Sequence, residues 1–270
     1  MVQAGEGSAR PRAGHILRRV LEDADEERNR SSSGLAFSGL AAGLTMGLSG
    51  LGVAVLQNHL PHAGWATLVA YSAYPLGFIA VIMGRAQLFT ENTLYPVVLV
   101  LDRRGGILDT LRLWAVVLAT NVLGILAFAA LVTQAPSIRS GTERELATLG
   151  GQAVAHSFGR IFWTAVIGGW LIALVAWLIE GAAEPFGQIA LIWLLTFVVG
   201  LGGFAHSIAT SGEILVGVLA GPVGGVSYLR WLAAAVLGNA VGGVVIVALL
   251  NYGQVMAGGG RRGARKRASA

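Results

Sequence analysis

Two short polar segments interrupt long apolar runs and hold most of the side chains that could do chemistry. The first reads GRAQLFTENT over residues 84–93, and the second reads GGFAHSIATSGE over residues 202–213. His206 could exchange a proton or donate a hydrogen bond, because an imidazole titrates at about pH 6.5. Between apolar walls an imidazole loses its charged form unless a negative group compensates. The second segment therefore predicts a site that protonates or orients a small solute.

Three ionisable residues accompany these segments: Arg85, Glu91 and Glu213. Carboxylates in a pore repel anions unless a partner neutralises them, and ions inside a membrane usually pair with one another. We therefore expect an intramembrane ion pair of Arg85 with Glu213 or with Glu91 that fixes one segment against the other. This pairing leaves His206 for the solute, whereas a contact of Glu91 with His206 would favour the charged imidazole and a different solute.

The composition excludes a soluble globular protein. Of the 270 residues, 54% are hydrophobic, 39 are glycines and only 12% are charged, whereas a soluble domain is about 25% charged. The chain has no cysteine, which removes disulfides, zinc clusters and thiol nucleophiles, and we expect neither a metal nor a cofactor. Most of the Lys and Arg residues lie in two tails beside apolar segments, which indicates topology in a lipid bilayer and not nucleic-acid binding.

The apolar runs give the number of membrane spans. Four runs have the length of one span, namely residues 34–56, 111–132, 161–179 and 231–250. Two others, residues 65–101 and 188–229, are about twice as long as a bilayer is thick at ~1.5 Å per residue. Each long run is either a hairpin of two short spans or one span broken by irregular backbone. A break requires a cavity, because unpaired backbone groups in lipid cost several kcal/mol each.

An internal repeat favours the broken form. After each long run a Trp, an Asn and a Gly recur at nearly the same spacing, as Trp114, Asn121 and Gly124 and again as Trp231, Asn239 and Gly242. The order of span, broken span and span, given twice, is typical of inverted repeats with the site at the interruptions. We therefore predict an all-α polytopic membrane protein with six transmembrane spans in inverted three-span repeats, whose second and fifth spans are broken. The matched Asn and Gly residues indicate close helix packing.

Charge distribution predicts the orientation. We divide the chain into a polar N-terminal tail (residues 1–33), a transmembrane channel domain (residues 34–250) and a basic C-terminal tail (residues 251–270). With the N-terminus inside, 14 of the 19 Lys and Arg residues are internal and four, including Arg139, are external. Because Lys and Arg favour the cytoplasmic side, we expect both termini in the cytoplasm of a multi-pass, bacterial-type inner (plasma) membrane protein. Within the first tail, ILRRVLEDADEER predicts a solvated charged helix, with an amphipathic segment at the cytoplasmic mouth as the alternative.

The two polar segments also carry a family resemblance. QLFTENT resembles the ELFTxN loop, and GFAHSIA resembles the GFEHxxAN segment, of the formate/nitrite transporter family, and the resemblance covers about residues 35–250. It implies an aquaporin-like protomer, a homopentamer, and in each subunit a path for a small monovalent anion or weak acid that can move with a proton. The family's site residues then correspond to Leu88, Phe89 and Phe204 at the constrictions, with Thr90 and His206 between them.

The sequence departs from the family pattern near this path. Thr210 stands where the family usually has Asn, Gly169 stands where another Asn is expected, and Arg160 is the cation nearest to a lysine of the family's vestibule. Glu91 and Glu213 add acids that ordinary formate channels lack. These differences indicate an atypical branch of the family.

Two other functions stay open at this point. A passive facilitator of water, ammonia or undissociated acids would share the architecture without anion chemistry, and the acids near the breaks favour it. The segment GLSG at residues 47–50, together with a buried histidine, resembles a rhomboid-like intramembrane protease with Ser49 as nucleophile. The protease hypothesis leaves the overlong runs and the repeat unexplained.

Overall fold

A computed structural model describes residues 12–61, 63–135 and 141–258. Arg139, the first eleven residues and the basic tail after residue 258 lie outside the described residues. Within those ranges the regular structure is helical, with a 3-10 turn at Glu91–Thr93 and a π-helical segment at Gly242–Leu249. The α-helices are α1 (Ala13–Asn29), α2 (Ser32–His59), α3 (Gly64–Tyr71), α4 (Pro75–Met83), α5 (Tyr95–Leu101), α6 (Ile107–Gln134), α7 (Thr142–Val154), α8 (Phe158–Ile179), α9 (Pro185–Leu201), α10 (Ala209–Ala220) and α11 (Gly225–Val241).

Six spans follow from the lengths and hydropathy of these helices. Five helical stretches in the described part of the chain are long and apolar enough to cross a membrane, namely Ser32–His59, Gly64–Met83, Ile107–Gln134, Phe158–Ile179 and Gly225–Gly258. The remaining span consists of two shorter apolar helices, α9 and α10. The second span is broken between α4 and α5, and the fifth between α9 and α10. The prediction of six spans with the second and fifth broken is confirmed.

Both breaks begin with the same turn. Arg85 after α4 and Gly203 after α9 adopt left-handed backbone, with φ of 53° and 61°. In each break the next residue, Ala86 or Phe204, donates its backbone N–H to a carbonyl five residues earlier at 3.0 Å. This is the hydrogen bond of a Schellman turn, in which glycine is the usual left-handed residue. An arginine in that position costs roughly 1–2 kcal/mol.

The same close helix pair occurs within each repeat. A methyl group on Gly43 of α2 would overlap the carbonyl oxygen of Asn121 on α6. In the second repeat, a methyl group on Gly169 of α8 would overlap the carbonyl oxygen of Asn239 on α11. Small residues permit backbones to approach this closely. The recurring glycines, Gly124 and Gly242, lie equally close to carbonyl oxygens of α2 and α8. The Asn and Gly residues that recur in the sequence therefore mark the same helix crossing in both repeats.

The charged N-terminal segment is not a solvated helix, so that prediction is wrong. Helix α1 buries an apolar stripe consisting of Leu17, Val20, Leu21 and Ala24. The spacing of three and four residues puts these side chains on one side of the helix. They share a core with residues of α5, of α8 and of the π-helical segment. Helix α1 thus covers one end of the bundle, which we call the α1 face.

Helix α8 defines the distance between the two ends of the bundle. It begins at Phe158, close to the end of α7, and ends at Ile179, next to α1. Its 22 residues span about 33 Å at ~1.5 Å per residue, which matches the thickness of a bilayer. The end where α8 begins is called the opposite face.

Candidate transport site

The two breaks meet at a buried pair of polar side chains. Thr90 belongs to the first break and His206 to the second, and both side chains are fully buried. Thr90 Oγ1 lies 2.8 Å from His206 Nε2, although the two residues are 116 positions apart in the chain. The ring of Phe78 on α4 meets the imidazole edge-on at a centroid distance of 4.9 Å. Nothing in the sequence pattern distinguishes Phe78, since it is one apolar residue in an apolar helix.

The hydrogen bonds of His206 select its neutral form. Its Nδ1 accepts the backbone N–H of Ala209, at 3.0 Å, in the first turn of α10. A neutral imidazole with Nδ1 as acceptor carries its hydrogen on Nε2, so Nε2–H donates to Thr90 Oγ1. A second proton on Nδ1 would face that backbone N–H and the positive end of the α10 dipole. The Thr90 hydroxyl keeps its own hydrogen for another acceptor.

Two asparagines clamp the breaks. Asn121 Oδ1 accepts the backbone N–H of Phe89 at 2.9 Å, and Asn239 Oδ1 accepts that of Ser207 at 2.8 Å. Each Nδ2 donates to the carbonyl two residues before that N–H, at 2.8 Å and 2.9 Å. Each also donates to a carbonyl of the adjoining first or fourth span, at 2.8 Å.

These clamps supply hydrogen-bond partners for backbone N–H and C=O groups that have no helical partner in the breaks. Irregular backbone at membrane depth requires partners inside the protein, and each asparagine supplies three of them. We interpreted Asn121 and Asn239 from the sequence as helix-packing residues, which captures their position but misses this role. Their recurrence before a glycine in both repeats was the signal that could have identified it.

Two cavities approach the Thr90–His206 pair from opposite sides. The α1-side cavity has a volume of about 440 Å³ and is lined by residues that include Ile82, Gln87, Glu91, Asn92 and Glu180. The far cavity has a volume of about 150 Å³ and is lined by residues that include Tyr74, Phe204, Thr210, Glu213 and Trp231. Thr90 and His206 line neither cavity and are fully buried. They therefore lie in the closed barrier between the cavities.

The apolar residues expected at constrictions have different surroundings. Leu88 is fully buried in the main core, and Phe204 lies on the wall of the far cavity. Phe89 packs against Trp114, at a centroid distance of 5.8 Å, in a separate cluster with Leu35. The backbone N–H of Phe89 is held by the clamp and its ring lies among α2 and α6, and its role at a constriction stays a prediction.

The expected intramembrane ion pair is wrong. Arg85 Nη2 instead contacts Asp23 Oδ2 at 2.8 Å, because α1 crosses the first break and brings that carboxylate to the guanidinium. Arg85 lines the α1-side cavity and Glu213 the far cavity, so those two residues lie on different sides of the barrier. Glu91 is 8% exposed and Glu213 9%. In the part of the chain that the structure describes, neither carboxylate has a hydrogen bond or an ion pair.

A third acid lies at the mouth of the α1-side cavity. Burial and the nearby carboxylate of Asp23 raise the pKa of Glu180 to about 7, and Arg85 opposes this shift. Tyr95 donates its hydroxyl to Glu180 Oε1 at 3.4 Å, and Arg19 donates to the Glu180 carbonyl at 3.0 Å. Glu180 therefore changes its charge near neutral pH. Among the described residues, no cluster of three or more His, Asp or Glu side chains could hold a metal ion.

Comparison with known proteins assigns the chain to a family. The sequence model described as formate/nitrite transporter matches residues 14–253. The chain belongs to the formate/nitrite transporter family. This transporter is similar to the inner membrane protein YfdC of Escherichia coli (strain K12), with 33% identity over 94% of this chain and 82% of the relative. It is also similar to a probable formate transporter of Methanothermobacter thermautotrophicus, with 30% identity over 81% of this chain and 83% of the relative.

Solved structures share the fold of this transporter. A pentameric formate channel with formate bound has a TM-score of 0.71 and 18% identity, over 83% of this chain and 98% of that one. An ion channel of the same family has a TM-score of 0.74 and 18% identity, over 88% and 94% of the two chains. Because the chain belongs to the formate/nitrite transporter family, it is a membrane transporter and not an enzyme, which removes the protease hypothesis. In agreement, Ser49 is fully buried, and His206 bonds to Thr90.

Proposed function

We propose that this transporter moves small monovalent weak-acid anions, such as formate or nitrite, across the membrane together with a proton. The observation that carries the proposal is the buried Thr90–His206 pair, which lies between two cavities where the breaks of two spans meet. The names of two similar proteins, a probable formate transporter and a pentameric formate channel with formate bound, support the choice of substrate.

The barrier between the cavities favours passage of the neutral acid. An ion that leaves water for an apolar region costs far more than a neutral polar molecule of the same size. Thr90 and His206 act together on a small acid there. The Thr90 hydroxyl donates to the carbonyl oxygen of the acid, and Nε2–H of His206 donates to Thr90 Oγ1 and so holds the Thr90 hydroxyl in place. The pair therefore orients the solute, and the neutral form of the imidazole is sufficient for this task.

Apolar side chains close the path on either side of the pair. We assign this role to Leu88 and Phe204, and we add Phe78 because its ring contacts the imidazole. Thr210 lies on the wall of the far cavity and offers a hydroxyl there in place of the amide that the family pattern has. Opening requires these side chains to move, since the barrier leaves no continuous cavity.

The assembly and orientation are also part of the proposal. We infer a homopentamer in the lipid bilayer, with one path in each subunit, in line with the pentameric structural relative. Large apolar side chains such as Phe186 and Val226 are more than 80% exposed in the single chain, and lipid or neighbouring subunits would cover them. The α1 face carries Arg103 and Arg104, which supports our inference that this face and both termini lie in the cytoplasm. We further propose that the membrane is a bacterial-type inner membrane.

Uptake into proteoliposomes tests the proposed function. Formate, nitrite, acetate and hydrosulfide are offered at pH values from about 5 to 8 to the wild type and to His206→Ala. We expect formate or nitrite uptake with accompanying acidification of the lumen, and a loss of at least about tenfold in the variant, because the Thr90 hydroxyl then loses the hydrogen bond that holds it in place. Equal uptake by both proteins would refute the assigned site.

A second candidate is a passive facilitator of neutral solutes, and the unpartnered Glu91 and Glu213 favour it. Such a protein would pass water and ammonia at least as fast as formic acid. Stopped-flow measurements of vesicle shrinkage and of luminal alkalinisation by ammonia distinguish the two. Rapid water and ammonia flux with slow formate uptake would replace the proposal with this one.

A further inference from the structure

We propose that Glu91 and Glu213 are the proton carriers of this transporter, one on each side of the Thr90–His206 barrier. This inference rests on the proposed weak-acid transport and assigns the proton to two carboxyl groups in place of the histidine. The two acids lie on opposite sides of the barrier, because Glu91 lines the α1-side cavity and Glu213 lines the far cavity. A solute that crosses the barrier passes one acid before it and one after it.

Burial without a partner makes both groups suited to hold a proton. They are at least nine-tenths buried, and within the described ranges no Arg, Lys or hydrogen-bond donor contacts either carboxylate. An ionised carboxylate in such a place is costly, and a buried group of this kind commonly becomes neutral by taking up a proton. Arg85 does not neutralise Glu91, because its guanidinium bonds to Asp23 and is 71% exposed.

The surroundings of Glu91 contain more acids than bases. The charged residues on the walls of its cavity are the acids Glu22, Asp23, Glu27 and Glu180 and the bases Arg19 and Arg85, with Tyr95 as a further titratable group. Asn92 Oδ1, on the same wall, is buried and has no hydrogen-bond partner in the described part of the chain. The deep end of the cavity thus offers a hydrogen-bond acceptor, Asn92 Oδ1, to a bound solute. A protonated Glu91 adds a hydrogen-bond donor for a weak-acid anion at this deep end.

The surroundings of Glu213 are less polar. The titratable groups that share its cavity are Tyr71, Tyr74 and His156, and none of them bonds to its carboxylate. Its side chain lies against α2 at Gly50, where a side chain would crowd it. The glycine therefore leaves the space that the carboxyl group occupies, next to the cavity.

The proton then moves in two balanced steps. In the α1-side cavity the carboxyl O–H of Glu91 breaks, the proton bonds to an oxygen of the anion, and Glu91 becomes a carboxylate. The neutral acid crosses the barrier along Thr90 and His206. Glu213 first releases its own proton to water at the opposite face. In the far cavity the acid then gives its proton to the Glu213 carboxylate, which restores the anion. Water at the α1 face reprotonates Glu91, so one proton moves with each anion.

Paired fluxes of a weak acid and a neutral analogue test this inference. Full-length Glu91→Gln and Glu213→Gln proteins are reconstituted, and uptake of formate, luminal acidification and uptake of formamide are measured at about pH 6. Formamide has the size of formic acid and exchanges no proton with a carboxyl group under these conditions. Glu26→Gln on the exposed side of α1 and Glu145→Gln on α7 are the matched controls.

We expect each carrier variant to lose at least about tenfold of formate uptake and of acidification, while formamide uptake stays within about twofold of the wild type. The two controls should keep all three rates. Wild-type formate uptake with acidification in either carrier variant would overturn the inference, and so would an equal loss of formamide uptake, which would assign the residue a structural role. If the wild type passes formamide but no weak acid, the proposed function itself is refuted.

Discussion

Removal of one asparagine clamp should destabilise the fold and stop transport together. Asn121→Ala leaves the backbone N–H of Phe89 and the carbonyl of Gln87 without their partner in a buried region. Each buried polar group that loses its partner costs about 1–3 kcal/mol, so the free energy of unfolding should fall by roughly 2–6 kcal/mol. Asn239→Ala should behave in the same way, because it removes the matching bonds of the second break.

Denaturant titration in detergent and formate uptake measure the two effects. Asn251→Ala is the control, since its Nδ2 donates one bond, of 2.9 Å, to Val247 at the end of the last span. Its loss should cost about 1 kcal/mol and leave uptake intact. Asn121→Asp adds a discriminating variant: it keeps the acceptor for Phe89 but removes both donated bonds and buries a charge, so it should be no more stable than Asn121→Ala. An Asn121→Ala protein with the stability and uptake of the wild type would refute the clamp.

Three further predictions concern the pair in the barrier and the α1 face. Thr90→Val removes the acceptor of the bond from His206 while it keeps the shape of the side chain, so formate uptake should fall at least about tenfold; Thr90→Ser should restore it, and a failure of serine to do so would show that the hydroxyl is not the important group. Arg85→Gly should leave the free energy of unfolding within about 1 kcal/mol, because relief of the left-handed backbone offsets the exposed ion pair to Asp23; a much larger loss in denaturant titration would show that this pair is a principal support of α1. Glu180 has a pKa raised from 4.5 to about 7, so its contribution to stability is complete below about pH 4.5 and is lost as the pH rises through about 7. The midpoint temperature of thermal unfolding should therefore fall more steeply from pH 5 to 8 in the wild type than in Glu180→Gln. Parallel curves for the two proteins would contradict the raised pKa of Glu180.

The broken spans could be predicted from the sequence because two apolar runs are too long for one span and because the same residues recur after each run. A helix cannot continue for 37 or 42 apolar residues inside a bilayer, and the recurring Trp, Asn and Gly indicated that both breaks have one origin. The contact between Thr90 and His206 followed from the family motifs, because the two loops that carry them meet in the family's architecture. These parts of the fold depend on local sequence and on the thickness of the bilayer.

Tertiary partners explain what the sequence did not predict. The partner of Arg85 is an acid of α1, and that contact exists only because an apolar stripe docks the helix across the break. The many charges of α1 obscured this stripe. The surroundings of Phe89 are a related case: the motif gives its position in the loop, but the packing of its ring against Trp114 depends on α6.

The two repeats share the backbone turn and the asparagine clamp of each break, but they differ in the side chains at the site. A shift of 118 positions superposes Arg85 on Gly203, Phe89 on Ser207 and Asn121 on Asn239, each pair with the same backbone role. The same shift superposes Leu88 on His206. The equivalent backbone position therefore carries an apolar side chain in one break and a hydrogen-bonding one in the other. We expect a second polar residue at position 88 to put two hydrogen-bonding side chains in the barrier and to stabilise water there, whereas leucine should keep the barrier dry. This difference supports the proposal that the solute crosses as the neutral acid.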